Sequence, residues 1–191
     1  MRTLVFATNN KHKLEEVQAL IGDKFQLKTL EEIGCLDDIP ETGDTFRDNA
    51  SQKSRYIWDR FKIDCFSDDS GLEVDALNGE PGVYSARYSG SQDSEDNLQL
   101  VMSKMEGISN RSARFKCVIS IILEGKEHLF EGSVEGEITN SRSGSAGFGY
   151  DPIFKPQGYD VSFAEMTAEE KNRISHRARA VEKLVGFLNQ Q

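Results

Sequence analysis

The residue types best suited to chemistry in this chain are carboxylates, and the most suggestive two are adjacent. Asp68 and Asp69 sit in Ser67-Asp68-Asp69-Ser70-Gly71, directly after residues 63–67, an apolar run that reads as a buried strand. The carboxyl end of a strand in an open α/β sheet is a common ligand position. Paired acids there suit a hard cation such as Mg²⁺, which takes oxygen ligands and keeps waters and substrate phosphates. Side chains of an extended strand alternate in direction, so Asp68 and Asp69 need not share a role. A simple turn is the competing reading, since Asp, Ser and Gly all favour turns. Glu41, beside Thr42-Gly43, is a further candidate metal ligand.

Cations complement these acids. Thr8-Asn9-Asn10-Lys11-His12-Lys13 lies where a strand ends and a helix begins. The first turn of a helix carries unpaired N–H groups and a partial positive charge, so three basic side chains there make sense if an anion such as phosphate faces them. A capped helix with solvated lysines is the alternative. The segment matches neither the Walker nor the GxGxxG phosphate loop. Lys53 falls between Ala50 and Ile57, inside the apolar stripe of its helix, with Asn49 one turn earlier. An inward lysine must either snorkel or meet a carboxylate or phosphate.

Two later segments are candidates for recognition of a flat ligand. Gly147-Phe148-Gly149-Tyr150-Asp151-Pro152 places an aromatic between glycines, which permits close backbone approach and stacking. Packing of Phe148 into the core is the ordinary alternative. Lys171 and Ser175-His176-Arg177 precede or open the last helix, with Ser175 a credible N-cap. His176 and Arg177 then occupy the wrong helix end for cations, unless a negative or carbonyl group faces them. A surface basic cluster is the alternative there.

The elements that must hold these groups follow from periodicity. Leu4 to Ala7 is a short apolar strand; Leu14, Val17, Leu20 and Ile21 repeat at helical spacing up to Gly22; Phe25 to Leu30 completes a βαβ-like unit. Residues 31–43 read as loop. A helix is predicted over 44–61, strands over 63–67 and 72–76, and a polar helix over 93–105. Phe115, Cys117, Ile119, Ile121 and Leu123 alternate along a strand that turns at Gly125-Lys126 into residues 127–138. Helix returns near Thr167. The order predicts a single α/β domain over 1–191, a mixed sheet flanked by helices, in two lobes around a central cleft.

Composition narrows the classes of function. At 37% hydrophobic and 29% charged residues, the 191-residue chain reads as a soluble globular protein. The apolar run at Leu4–Ala7 is too short for a signal-peptide core and no stretch approaches a membrane span, so a cytoplasmic protein without membrane contact is expected. A net charge of -9 disfavours nucleic-acid binding but leaves a small phosphorylated substrate open. Cys35, Cys65 and Cys117 form no CxxC or zinc pattern, and none is given a chemical role.

TNNKHK at 8–13, PETGDTFRDNASQK at 40–53, SDDSGLEVDALNGEPGVYSARYSG at 67–90, GFGYDP at 147–152 and MTAEEKNRISHRARA at 166–180 together resemble the inosine/xanthosine triphosphate pyrophosphatase family. The resemblance covers essentially the whole chain, with the motifs in order. It implies a long mixed sheet with two lobes around the substrate cleft, usually as a homodimer. By resemblance, Thr8, Asn9, Asn10, Lys11, His12 and Lys13 form the triphosphate loop. Glu41 and Asp69 would be the magnesium ligands, and Asp69 also the base that activates water, with Asp68 and Lys53 beside it in the catalytic cluster. Ser70 would be a substrate contact, while Phe148, Gly149, Tyr150, Asp151, Lys171, His176 and Arg177 would recognise the base. Asn9 departs from the glycine found in many members, a change that Asn's tolerance of unusual backbone angles accommodates.

The expected reaction is Mg²⁺-assisted attack of water at the α-phosphorus of ITP, dITP or XTP, releasing the monophosphate and pyrophosphate. Base selection would rest on donors aimed at a 6-oxo group, which adenine's 6-amino group leaves unpaired. Two rivals stand beside it: a pyrophosphatase for other modified nucleotides, and a nucleotide sensor that binds without turnover.

Overall fold

The computed structural model describes residues 2–23 and 25–190. Among these residues six strands and five α-helices follow in order: β1 (Arg2–Phe6), α1 (Lys11–Ile21), β2 (Phe25–Lys28), α2 (Phe46–Phe61), β3 (Cys65–Val74), α3 (Ser94–Lys104), β4 (Ser112–Leu123), β5 (Lys126–Ile138), β6 (Phe154–Pro156), α4 (Ala168–Ile174) and α5 (His176–Leu188). The strands form one sheet in the order β2-β1-β3-β4-β5-β6. β1 runs parallel to both β2 and β3, while β5 and β6 are antiparallel, so the α/β class and the mixed sheet are as expected. No helix among the described residues is long and apolar enough to cross a membrane.

The chain divides into two compact units. Unit one comprises Met1–Asp69, Cys117–Gly132 and Arg177–Gln191; unit two comprises Ser70–Lys116 and Ser133–His176. In unit one, Leu4 and Phe6 join one apolar cluster and Val5 and Ala7 another, as the two faces of a strand should. The first cluster is covered by Val17 and Ile21 of α1 and by Val181, Leu184 and Leu188 of α5; the second by Ile57 of α2. Cys117, Ile119, Ile121 and Leu123 share the first cluster, which bears out the alternation read along β4. Burial of each such aliphatic or aromatic side chain stabilises the fold by about 1.5–3 kcal/mol. Unit two has its own core of Leu72, Val74, Leu98, Val101, Met105, Phe115, Phe154 and Phe163. All three cysteines are buried and reduced.

The acidic motif corrects the sequence reading. Two short strands were expected on either side of Asp68-Asp69-Ser70-Gly71, but β3 runs unbroken through it, so both aspartates lie inside a strand rather than at its end. The interior is tolerable because partners satisfy the polar groups. Ser67 Oγ donates to the Ala50 carbonyl at 2.5 Å, and Asp68 meets two cations. A smaller difference lies at the β4–β5 turn, which is made by Glu124 and Gly125 at φ 50° and 81°, one residue earlier than expected.

Candidate active site

Unit one gathers the acids and most of the basic groups. Thr45 caps α2, its side chain accepting from the Asp48 amide, and the helix then carries Asn49 and Lys53 on its buried side. Lys53 is 7% exposed and pairs with Glu41, so it has not snorkelled to solvent. On β3, Asp68 and Asp69 point different ways, as neighbouring strand residues do. Asp68 Oδ1 accepts from Lys13 Nζ at 3.0 Å, and Asp68 Oδ2 from Arg177 Nε at 3.3 Å. Asp69 Oδ2 accepts from Asn49 Nδ2 at 3.0 Å.

The two carboxylates therefore differ in character. Burial alone would raise the Asp68 carboxyl, but Lys13 and Arg177, with Lys53 beyond them, outweigh it and hold the group well below the usual carboxylate range. Burial also pushes the Asp69 carboxyl up and the charge of Glu41 adds to this; Lys53, Lys13 and Asn49 oppose it without cancelling it. Burial would lower the Lys53 ammonium, yet Glu41, Asp68 and Asp69 together raise it, so Lys53 stays charged. Among Lys13, Lys53, Arg177, Glu16, Glu41, Asp68 and Asp69, the carboxylates outnumber the cations by one.

The start of α1 shows the capped helix and an anion partner together. Thr8 Oγ1 accepts from the Asn10 amide at 3.1 Å, and Asn10 Oδ1 accepts from the Lys13 amide at 3.2 Å. Asn9, Lys11 and His12 face solvent, whereas Lys13 turns inward to Asp68. Arg177 opens α5 and is 1% exposed; its guanidinium pairs with Asp68 and Glu16. These acids are the negative groups that a cation at a helix start requires. Arg177 thus pairs with two acids of its own unit.

Unit two holds the remaining candidates. The carboxylate of Asp151 accepts from the Phe148 amide at 2.9 Å and from Lys171 Nζ at 2.8 Å. Lys171 Nζ also lies 4.9 Å from the centroid of the Phe148 ring, which is only partly buried and does not belong to the core cluster. Gly149, also in this loop, is partly buried. Tyr150 is in that core, its hydroxyl donating to the Ser85 carbonyl at 2.7 Å. His176 is buried and stacks on Phe115 at 4.8 Å between centroids. Ser70 follows Asp69 on β3, partly buried. Ser175 separates α4 from α5 in extended backbone geometry.

Sequence reasoning left out one member of this charge network and undervalued another. Glu16 was not singled out, although it lies three residues after Lys13 and so shares its helix face. Asn49 was noted only as a neighbour of Lys53; its contact with Asp69 had no sequence signal.

The sequence profile of the Ham1 family matches residues 4–187. A relative named dITP/XTP pyrophosphatase from Flavobacterium johnsoniae is 51% identical over 186 residues, covering 97% of each chain. The solved structure of the Staphylococcus aureus Ham1 protein superimposes with a TM-score of 0.91 at 39% identity over 99% of both chains. A HAM1 protein from Coxiella burnetii does so with a TM-score of 0.92 at 37% identity over the full length of both.

Proposed function

The chain belongs to the Ham1 family, and from that premise and its buried acidic cluster we propose that it hydrolyses non-canonical purine nucleoside triphosphates (dITP, ITP and XTP) to the monophosphate and pyrophosphate. The substrate class is that named for its F. johnsoniae relative. The observation that carries the chemistry is the division of labour between adjacent carboxylates. Asp68 is committed to Lys13 and Arg177, while Asp69 is held by a neutral amide beside Lys53.

Asp69 then accepts a proton from the attacking water. The water oxygen bonds to the α-phosphorus, the bond from that phosphorus to the bridging oxygen breaks, and pyrophosphate leaves. A carboxylate raised by burial is a stronger base than an exposed one, which favours Asp69 over Asp68 for this role. Lys53 and Lys13 supply fixed positive charge where negative charge develops on the phosphates. The solvent-facing start of α1, from Thr8 to His12, offers backbone N–H groups and basic side chains to the same phosphates.

Glu41 and Asp69 fit the requirements of Mg²⁺. Both offer hard oxygen donors, and the charge of Glu41 disfavours ionisation of Asp69, an effect that a divalent cation relieves. Among the described residues no group of three or more His, Cys, Asp and Glu side chains suits a metal on its own. That accords with an ion that completes its shell with waters and substrate oxygens. When bound, Mg²⁺ neutralises phosphate charge and lowers the pKa of water.

Base choice falls to unit two. Lys171 and His176 are donors suited to a 6-oxo purine, and the ring of Phe148 is a stacking surface. A site built on such donors rejects a 6-amino purine by ~10⁴-fold or more. The resemblance further supports a homodimer, and the composition a cytoplasmic location. The test is pyrophosphate release from dITP, ITP, XTP, dATP and dGTP with and without Mg²⁺. Equal rates on all five would remove the specificity claim, and no release from any would leave only a binding protein.

A further inference from the structure

We infer that Asn49 is the positioning residue for Asp69, an inference that rests on the reading of Asp69 as proton acceptor. Asn49 is fully buried in α2, one turn before Lys53, and both ends of its amide are engaged. Its Oδ1 accepts from the Gly43 amide at 2.8 Å, and its Nδ2 donates to Asp69 Oδ2 at 3.0 Å. Only one orientation of the amide satisfies both partners, because a flip would face oxygen to carboxylate and NH₂ to N–H. Asn49 is thereby locked, and it locks Asp69 in turn.

The same amide ties Asp69 to the segment that carries Glu41, two residues before Gly43. Gly43 is required for that approach. A Cβ at position 43 would lie 2.5 Å from Asp48 Cβ and 3.1 Å from the Asn49 nitrogen. One buried side chain thus bonds both Asp69 and the backbone of the segment that carries Glu41. Supporting groups that orient a metal-ligating or catalytic side chain typically account for 10–100-fold in affinity or activity.

A neighbour separates positioning of Asp69 from simple anchoring of the loop. Gln52 holds the same segment at Thr42: its Oε1 accepts from the Thr42 amide at 2.9 Å and its Nε2 donates to Thr42 Oγ1 at 3.0 Å. Asn49→Asp keeps an acceptor for Gly43 but removes the donor to Asp69; Asn49→Ala removes both; Gln52→Ala loosens only the loop.

Turnover of dITP and calorimetric binding of Mg²⁺, in the presence of α,β-imido dITP, test the inference. Fluorescence of Trp58, the only tryptophan, reports folding in urea. Asn49→Ser replaces either Asn49 variant that does not fold. The Asn49 variants are expected to lose about 10–100-fold in kcat and about 10-fold in Mg²⁺ affinity, with KM for dITP within ~3-fold of wild type. Gln52→Ala is expected to lose less than ~3-fold in either, since it leaves the Asp69 contact intact. Wild-type kcat in Asn49→Asp, or an equal loss in Gln52→Ala, overturns the inference alone. A wild-type chain that releases no pyrophosphate overturns the functional reading, and this inference with it.

Discussion

Lys13 Nζ lies 3.0 Å from Asp68 Oδ1, so a cation from the first turn of α1 meets a fully buried carboxylate inside β3. Arg177 Nε approaches the other oxygen of the same carboxylate at 3.3 Å and itself pairs with Glu16. Four charged side chains from α1, β3 and α5 therefore balance one another in unit one. Paired burial of this kind is costly to interrupt, because removing one member strands the others.

Asp68→Asn is expected to destabilise the protein by about 3–5 kcal/mol at neutral pH, since Lys13 and Arg177 lose their shared counter-charge. Urea unfolding followed by Trp58 fluorescence measures it. The pH dependence has a fixed sign. The folded carboxyl sits below its unfolded value, so its stabilisation is complete above the unfolded pKa and is lost as pH falls through the folded one. The gap between wild type and Asp68→Asn should accordingly narrow below about pH 4. A gap that widens on acidification would contradict the assignment.

Asp69→Asn should behave in the opposite way. It removes a carboxylate raised by burial, so the fold is retained, while kcat for dITP falls by roughly 10²–10⁴-fold as the proton acceptor is lost. Thermal melting and single-turnover pyrophosphate release read the two effects separately. Near-normal turnover would show that another group takes the proton.

Lys171→Met leaves the buried Asp151 carboxylate without its ammonium partner, 2.8 Å away in the folded chain, and leaves the Phe148 ring without its cation. The expected result is a KM for dITP raised by at least ~10-fold and a reduced preference for dITP over dATP, as follows from loss of a buried donor. Steady-state kinetics on both substrates checks it; an unchanged preference would remove Lys171 from base recognition.

Gly147→Ala addresses the same loop through the backbone. Gly147 has φ 73°, and an added Cβ would collide with the Asp151 carboxylate that holds the Phe148 amide. Left-handed geometry costs a non-glycine residue roughly 1–2 kcal/mol. Lower thermal stability together with a raised KM for dITP is expected, whereas an effect on kcat alone would not fit this position.

Much of the fold was legible because it depends on local patterns. The apolar spacing of Val17 and Ile21, the stripe through Ala50 and Ile57 and the alternation through Cys117, Ile119, Ile121 and Leu123 each mark an element wherever the chain goes next. The motifs carrying Glu41, Lys53, Asp68, Asp69, Phe148 and Lys171 were equally visible, since residue type and order suffice to mark them.

The tertiary structure alone decided how those residues act. Local propensity reads Asp68-Asp69-Ser70-Gly71 as the end of a strand, because polar groups inside a strand are costly unless something satisfies them. The satisfying groups come from α1, α2 and α5, as far as 109 residues away in the case of Arg177. Asp68 thereby became the ionised anchor, Asp69 the burial-raised acid, and Asn49 its support. Charge, burial and hydrogen bonding act through space, and sequence separation carries no information about any of the three.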